Sequence, residues 1–185
     1  MQFSKKEILS IPNILSIVRI LLLPVFVYLY INAETPGDYY LAAGVILFSA
    51  LTDFFDGLIA RSLNQITELG KALDPVADKL QQAAIVFCLM FKYDKMWLLV
   101  VLFVIKELFM GINSLILLQR GRKLDGAEWF GKVSTAVFYA SMIILIAFPD
   151  IDEQIAAALM AITFFFLALS FLLYIPVFVR LYRES

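Results

Sequence analysis

Long apolar runs separated by short polar breaks dominate the chain. Crossing a bilayer takes about 20 predominantly apolar residues. Six stretches come close to that length, at roughly 14–31, 39–61, 75–92, 96–119, 129–148 and 154–179. The breaks carry turn chemistry: Asn32 to Asp38 with its Pro36-Gly37, Ser62 to Asp74, Lys92 to Lys95, Arg120 to Glu128, and Pro149 to Glu153. This pattern predicts an all-α integral membrane protein of six transmembrane helices, with both termini on the same side. Ahead of the first run, Phe3, Ile8, Leu9 and Ile11 interleave with Lys5, Lys6 and Glu7, which fits a short helix lying in the interface or a plain basic tail. Pro24, Pro75 and Pro176 fall in or at the ends of spans, and Asp74-Pro75 reads as a helix start.

Composition agrees with the pattern. Of 185 residues, 62% are hydrophobic, whereas an ordinary soluble domain has roughly 45–50%. The length predicts one domain, spanning 1–185. Fifteen basic residues nearly balance sixteen acidic ones, which argues against a nucleic-acid partner held by bulk charge. Cys88 is the only cysteine and there is no histidine, so an internal disulfide, imidazole bases and most zinc sites are excluded. What remains is carboxylate, lysine, tyrosine and hard-oxygen metal chemistry. The first apolar run lacks a small-residue cleavage pattern and is interrupted by Arg19, so it reads as a retained span and not a signal peptide.

Charge near the span ends sets the orientation. Lys5, Lys6, Arg61, Lys71, Lys79, Arg120, Arg122, Lys123, Lys132, Arg180 and Arg183 gather on one face; the other holds Lys92 and Lys95 among Glu34, Asp38, Asp94, Asp150, Asp152 and Glu153. The basic face is expected to be cytoplasmic. No internal repeat is visible, so the inverted-repeat design of many transporters finds no support.

The candidate chemistry lies on that face. Asp53, Asp56, Asp74 and Asp78 stand at the cytoplasmic ends of two consecutive spans. At about 100° per residue, Asp53, Asp56, Gly57 and Ala60 share one helical stripe, and Asp74 and Asp78 share another. Gly70 comes one turn earlier if the helix continues back past Pro75. Ionised carboxylates at a lipid boundary cost several kcal/mol unless they are paired or coordinate a cation. Arg61, Lys71 and Lys79 can neutralise only part of this charge. Oxygen donors suit Mg²⁺, Mn²⁺ or Ca²⁺, with Mg²⁺ the usual choice where a phosphate completes the shell, so one or two metals are expected. Singly, Asp74 could be only an N-cap and Asp53 or Asp56 an interfacial ion-pair partner; the whole set at these spacings is much harder to explain that way.

The complete run D-x2-D-G-x2-A-R-x8-G-x3-D-x3-D from Asp53 to Asp78 resembles the signature of the CDP-alcohol phosphatidyltransferase family. The opening P-N-I-L-S-I-V-R-I from Pro12 to Ile20 and the wording L-D-P-V-A-D-K agree, so the resemblance covers almost the whole chain. It implies the family's fold, a homodimer, and two divalent ions, Mg²⁺ or Mn²⁺, held by Asp53, Asp56, Asp74 and Asp78. It also implies a CDP-linked lipid gripped at its diphosphate, with Asp53, Gly57, Ala60, Arg61 and Gly70 at the nucleotide. Asp78 would in addition be the general base.

L-D-P-V-A-D-K and G-K-V-S-T at Gly131 to Thr135 look most similar to the branch that joins CDP-diacylglycerol to glycerol 3-phosphate. That branch commonly has Arg-Glu where this chain has Lys106-Glu107, and a second lysine where it has Ser134. Lys106 and Lys132 are the candidate contacts for the acceptor phosphate. The cardiolipin synthase branch, which uses phosphatidylglycerol as acceptor, often lacks the second lysine. Lys106-Glu107 could equally be a local ion pair, and Asn113 and Ser114 read better as helix bridges than as site residues. A divalent-metal transporter would also use intramembrane acids, but it leaves Gly57, Ala60 and Arg61 unexplained.

Overall fold

The computed structural model describes residues 10–62, 68–121 and 128–183; for 11–12, 53–62, 68–69 and 71–72 it describes the backbone path only. The expected interfacial helix, Arg122 and Lys123 lie outside the described residues. Among those described there are six helices and no strand: α1 (Ile11–Ile31), α2 (Pro36–Ser62), α3 (Glu68–Met90), α4 (Met96–Gln119), α5 (Trp129–Ala147) and α6 (Glu153–Arg183). Four of them, α1, α4, α5 and α6, are long and apolar enough to cross a membrane. The other two carry the acidic segment. One boundary differs from the sequence reading: α3 begins at Glu68, so Pro75 falls inside it and does not start it. The helical path thus runs back through Gly70, and Gly70, Asp74 and Asp78 lie on successive turns of one face.

Two compact units divide the chain. One comprises residues 1–91 with 143–150, the other 92–142 with 151–185. In the first, α1 packs against both α2 and α3. On α1 the face turned inward carries Asn13, Ser16, Arg19 and Phe26, while Ile14, Ile17, Leu21, Val25 and Tyr28 face outward. This is the reverse of a soluble helix: lipid takes the apolar side chains and the protein interior takes the polar ones. α2 answers with Ala42, Ala43, Ile46, Ser49 and Thr52 at helical spacing. Tyr30 joins the two helices by an edge contact with Tyr39, ring centroids 5.8 Å apart.

The start of α2 is capped by its own third residue. Asp38 Oδ2 accepts the Thr35 backbone N–H at 2.8 Å, the Thr35 hydroxyl at 2.8 Å and the Glu34 N–H at 3.2 Å. With Pro36 in the first turn, this is one half of a capping box. The bonds from Thr35, backbone first and then hydroxyl, and then that from Glu34 hold the exposed Asp38 carboxyl below its ordinary value.

In the second unit α4 packs against α6. The buried residues of α6, Ala156, Met160, Thr163, Leu167, Ser170, Tyr174 and Phe178, follow one another in steps of three or four, so one stripe stays buried from Ala156 to Phe178. Leu117, Tyr174 and Phe178 centre a cluster with Phe109, Met110, Phe130, Leu181 and Tyr182 around it. Gly131 lies against Tyr174 so closely that an added Cβ would sit 2.5 Å from the tyrosine oxygen. Just past the end of α4, after the C-cap Arg120, comes Gly121, whose φ of 72° is left-handed and suits glycine at that place.

Candidate active site

The acid-bearing ends of α2 and α3 belong to the same unit and are joined by the short segment 63–67. A buried side-chain bond fixes their relative height. The Ser49 hydroxyl on α2 donates to Gln81 Oε1 on α3 at 2.9 Å. Asp53 follows Ser49 by four residues, and Asp78 precedes Gln81 by three. At about 1.5 Å of rise per residue, both backbone positions lie about one turn beyond the same bridge, toward the same end of the helix pair. Asp56, Gly57, Ala60 and Arg61 continue up α2 from there, and Asp74 and Gly70 continue up α3. The side chains of Asp53, Asp56 and Arg61 lie outside those described; Asp74 and Asp78 are half-buried and Gly70 is buried.

Both described carboxylates are held by neutral donors. Ser16, fully buried on α1, donates its hydroxyl to Asp74 Oδ1. Gln82, also buried, places its amide nitrogen 3.4 and 3.3 Å from the two oxygens of Asp78, and its Oε1 faces Lys79 Nζ at 3.5 Å. Thr52 bonds back to the Ser49 carbonyl at 2.7 Å. Arg19, with 0% of its surface exposed, belongs to the same unit, three residues along α1 from Ser16.

Ser16, Arg19, Gln81 and Gln82 were not among the site residues expected from sequence. The signal for Gln82 is its spacing: it stands four residues past Asp78, on the same helical face. The oxygen-only donor set suits a hard divalent cation, and Asp74 and Asp78 sit one turn apart on a single face, so the residues fit such an ion. Among the described residues alone, no group of three candidate ligands converges.

The second unit holds the other candidates. Lys106 is buried and paired with Glu107 at 2.9 Å, the local ion pair anticipated as an alternative. Lys132 is exposed in the first turn of α5. Asn113 acts as a bridge: Tyr182 donates to its Oδ1 at 2.9 Å, and its own amide donates to the Phe109 carbonyl at 2.7 Å. Arg120 lies over the Tyr182 ring, 5.3 Å from the centroid.

Four helices long and apolar enough to cross a membrane, with polar residues turned to the interior of α1, define a multi-pass membrane protein. The chain belongs to the CDP-alcohol phosphatidyltransferase family, whose family model matches residues 9–179, and it is an enzyme of that family. Among its relatives is the CDP-diacylglycerol–glycerol-3-phosphate 3-phosphatidyltransferase of Pseudomonas fluorescens, 34% identical over 146 residues, or 76% of this chain and 74% of that protein. The enzyme of the same name from Escherichia coli K12 is 30% identical over 162 residues, 86% of each chain. A Mycobacterium tuberculosis protein provisionally named a cardiolipin synthase is 29% identical over 148 residues, 80% of this chain and 66% of its own length.

Proposed function

We propose that this enzyme transfers a phosphatidyl group from CDP-diacylglycerol to glycerol 3-phosphate in phospholipid synthesis, releasing CMP. The single observation carrying this reading is the complete acid motif, with its two halves on helices whose heights are tied by the Ser49–Gln81 bond. Asp53, Asp56, Asp74 and Asp78 would hold two divalent ions, Mg²⁺ or Mn²⁺. Bound there, such ions supply charge neutralisation on the phosphoryl oxygens. Arg61 contacts the diphosphate, and Gly57, Ala60 and Gly70 leave room for the nucleotide. Asp78 takes the proton from the attacking hydroxyl. The hydroxyl oxygen bonds to the lipid-side phosphorus as the bond to the CMP oxygen breaks, and CMP leaves with that electron pair. Lys106 and Lys132 serve the acceptor phosphate.

The chain works as one domain of six spans in the cell membrane, with its site and both termini cytoplasmic, as a homodimer. Charge distribution supports the orientation, and family membership supports the rest. Cardiolipin synthase chemistry, with phosphatidylglycerol as acceptor, is the second reading; it is favoured by Ser134 in place of a second lysine and by the mycobacterial relative.

The test is purified protein with Mg²⁺ and CDP-diacylglycerol, offered glycerol 3-phosphate, phosphatidylglycerol, inositol phosphate or serine in parallel. CMP release is expected with glycerol 3-phosphate and not after Asp78→Asn. Undiminished turnover in that variant refutes the assignment of the base. Absence of CMP with every acceptor, together with divalent-ion flux into proteoliposomes, would make the protein a transporter.

A further inference from the structure

We infer that Ser16 and Gln82 are positioning residues of the active site, Ser16 for Asp74 and Gln82 for Asp78. The inference rests on the phosphatidyl transfer proposed above. Neither residue belongs to the acid motif, and each reaches its carboxylate differently: Ser16 from another helix, Gln82 from one turn further along the same one.

Burial is the first argument. Ser16 is 0% exposed and Gln82 is 4% exposed, and polar groups so placed in a membrane protein are costly unless hydrogen-bonded. Both direct a hydrogen-bonding atom at an acid of the site.

Geometry separates the two roles. Ser16 engages only Oδ1 of Asp74, which pins the carboxylate plane and leaves Oδ2 to face elsewhere. The Gln82 nitrogen sits astride Asp78, 3.4 Å from Oδ1 and 3.3 Å from Oδ2. Turning the carboxylate brings one oxygen nearer and takes the other away, so the donor opposes rotation in both senses. The Lys79 ammonium, 3.5 Å from Gln82 Oε1, distinguishes the two ends of the amide and keeps its nitrogen toward the acid. Neutral donors suit this role, since a lysine or arginine in direct contact would compete with a cation for the same oxygens. Gln81, bound to Ser49, holds the adjacent position of α3 and so limits how far Gln82 can shift.

Positioning predicts different losses for the two residues. Replacing a group that orients a metal-holding carboxylate typically costs about 10–100-fold in metal affinity or activity. Ser16→Ala should weaken Mn²⁺ binding to the substrate-free protein by about tenfold or more, read by electron paramagnetic resonance, and Ser16→Thr, which keeps the hydroxyl, should restore most of it. Gln82→Met, equal in length but without a donor, should lower kcat by about tenfold or more while leaving KM for CDP-diacylglycerol within about twofold. Gln82→Glu should be worse than Gln82→Met, since it swaps a donor for a second negative charge beside Asp78. Melting temperatures in detergent establish that the variants are folded, and Ser16→Val, which also lacks the hydroxyl, and Gln82→Glu stand in should Ser16→Ala or Gln82→Met not fold. A folded Ser16→Ala or Ser16→Val variant with unaltered Mn²⁺ binding, or a folded Gln82→Met or Gln82→Glu variant with wild-type kcat, overturns the assignment of that residue. Absence of CMP with every acceptor in the unaltered protein removes the proposed function and this inference with it; undiminished turnover in Asp78→Asn removes the base assignment and with it the role of Gln82, whereas loss there but not in the Gln82 variants removes the Gln82 assignment alone.

Discussion

Replacing Gly131 by alanine tests the packing of the second unit at a single atom. The new Cβ would lie 2.5 Å from the Tyr174 oxygen and 3.3 Å from ring atoms Cε2 and Cζ, well inside contact distance for the oxygen. Tyr174 has little freedom to yield. It is buried, its oxygen accepts the Glu128 N–H at 3.2 Å, and its ring meets Phe130 at 4.8 Å and Phe178 at 6.4 Å between centroids. Overpacking of this kind costs about 1–3 kcal/mol, and losing the Glu128 bond adds about 1 kcal/mol. Alanine's better helix propensity returns about 1 kcal/mol. The net loss is therefore about 2 kcal/mol, and at about 2–4 °C per kcal/mol for a chain of this size the melting temperature in detergent should fall by about 4–8 °C. Tyr174→Phe removes the clashing oxygen and leaves the contacts at 3.3 Å. In that background the Gly131→Ala cost should drop to less than about half. Equal costs in both backgrounds, or no loss in the single variant, would show that the tyrosine oxygen is not what demands glycine.

Asp38→Asn should lower the melting temperature at neutral pH, because the folded-state carboxyl titrates below its ordinary value and its stabilising effect is present above that ordinary value. The difference from wild type should shrink as pH falls below about 4 and vanish once the folded-state carboxyl is protonated; a difference independent of pH down to the acid limit contradicts the cap. Asn113→Leu and Tyr182→Phe should each cost about 0.5–2 kcal/mol, typical of a hydrogen bond between membrane helices. Since both delete the same 2.9 Å bond, the double variant should cost less than the sum.

Much of this was legible in the chain itself, for identifiable reasons. The apolar run lengths located the six described helices, and 96–119 emerged as Met96–Gln119. Pro75 misled because Asp-Pro is a common opening of a helix, whereas here the helix has already begun at Glu68. The acid motif could be read because its spacing is local and periodic. Asn113 read as a bridge because an amide inside a span needs a partner, but its partner, Tyr182, lies 69 residues away and no local pattern names it. The same limit hid the contact of Gly131 with Tyr174 and the bond from Ser16 to Asp74, 58 residues apart. Periodicity gives the face a side chain occupies and not the atom it meets. Arg19 looked like an interruption of an apolar run; its complete burial shows that α1 turns its polar residues inward.

The bond between Ser49 and Gln81 also bears on how the protein is assembled. A hydroxyl and an amide buried apart from one another would each lose water and gain no partner. Side by side, α2 and α3 supply one another's missing partner, which favours this register of the two helices over a shifted one. The ends that carry the acids are thereby aligned by the folded chain itself, before any ligand arrives.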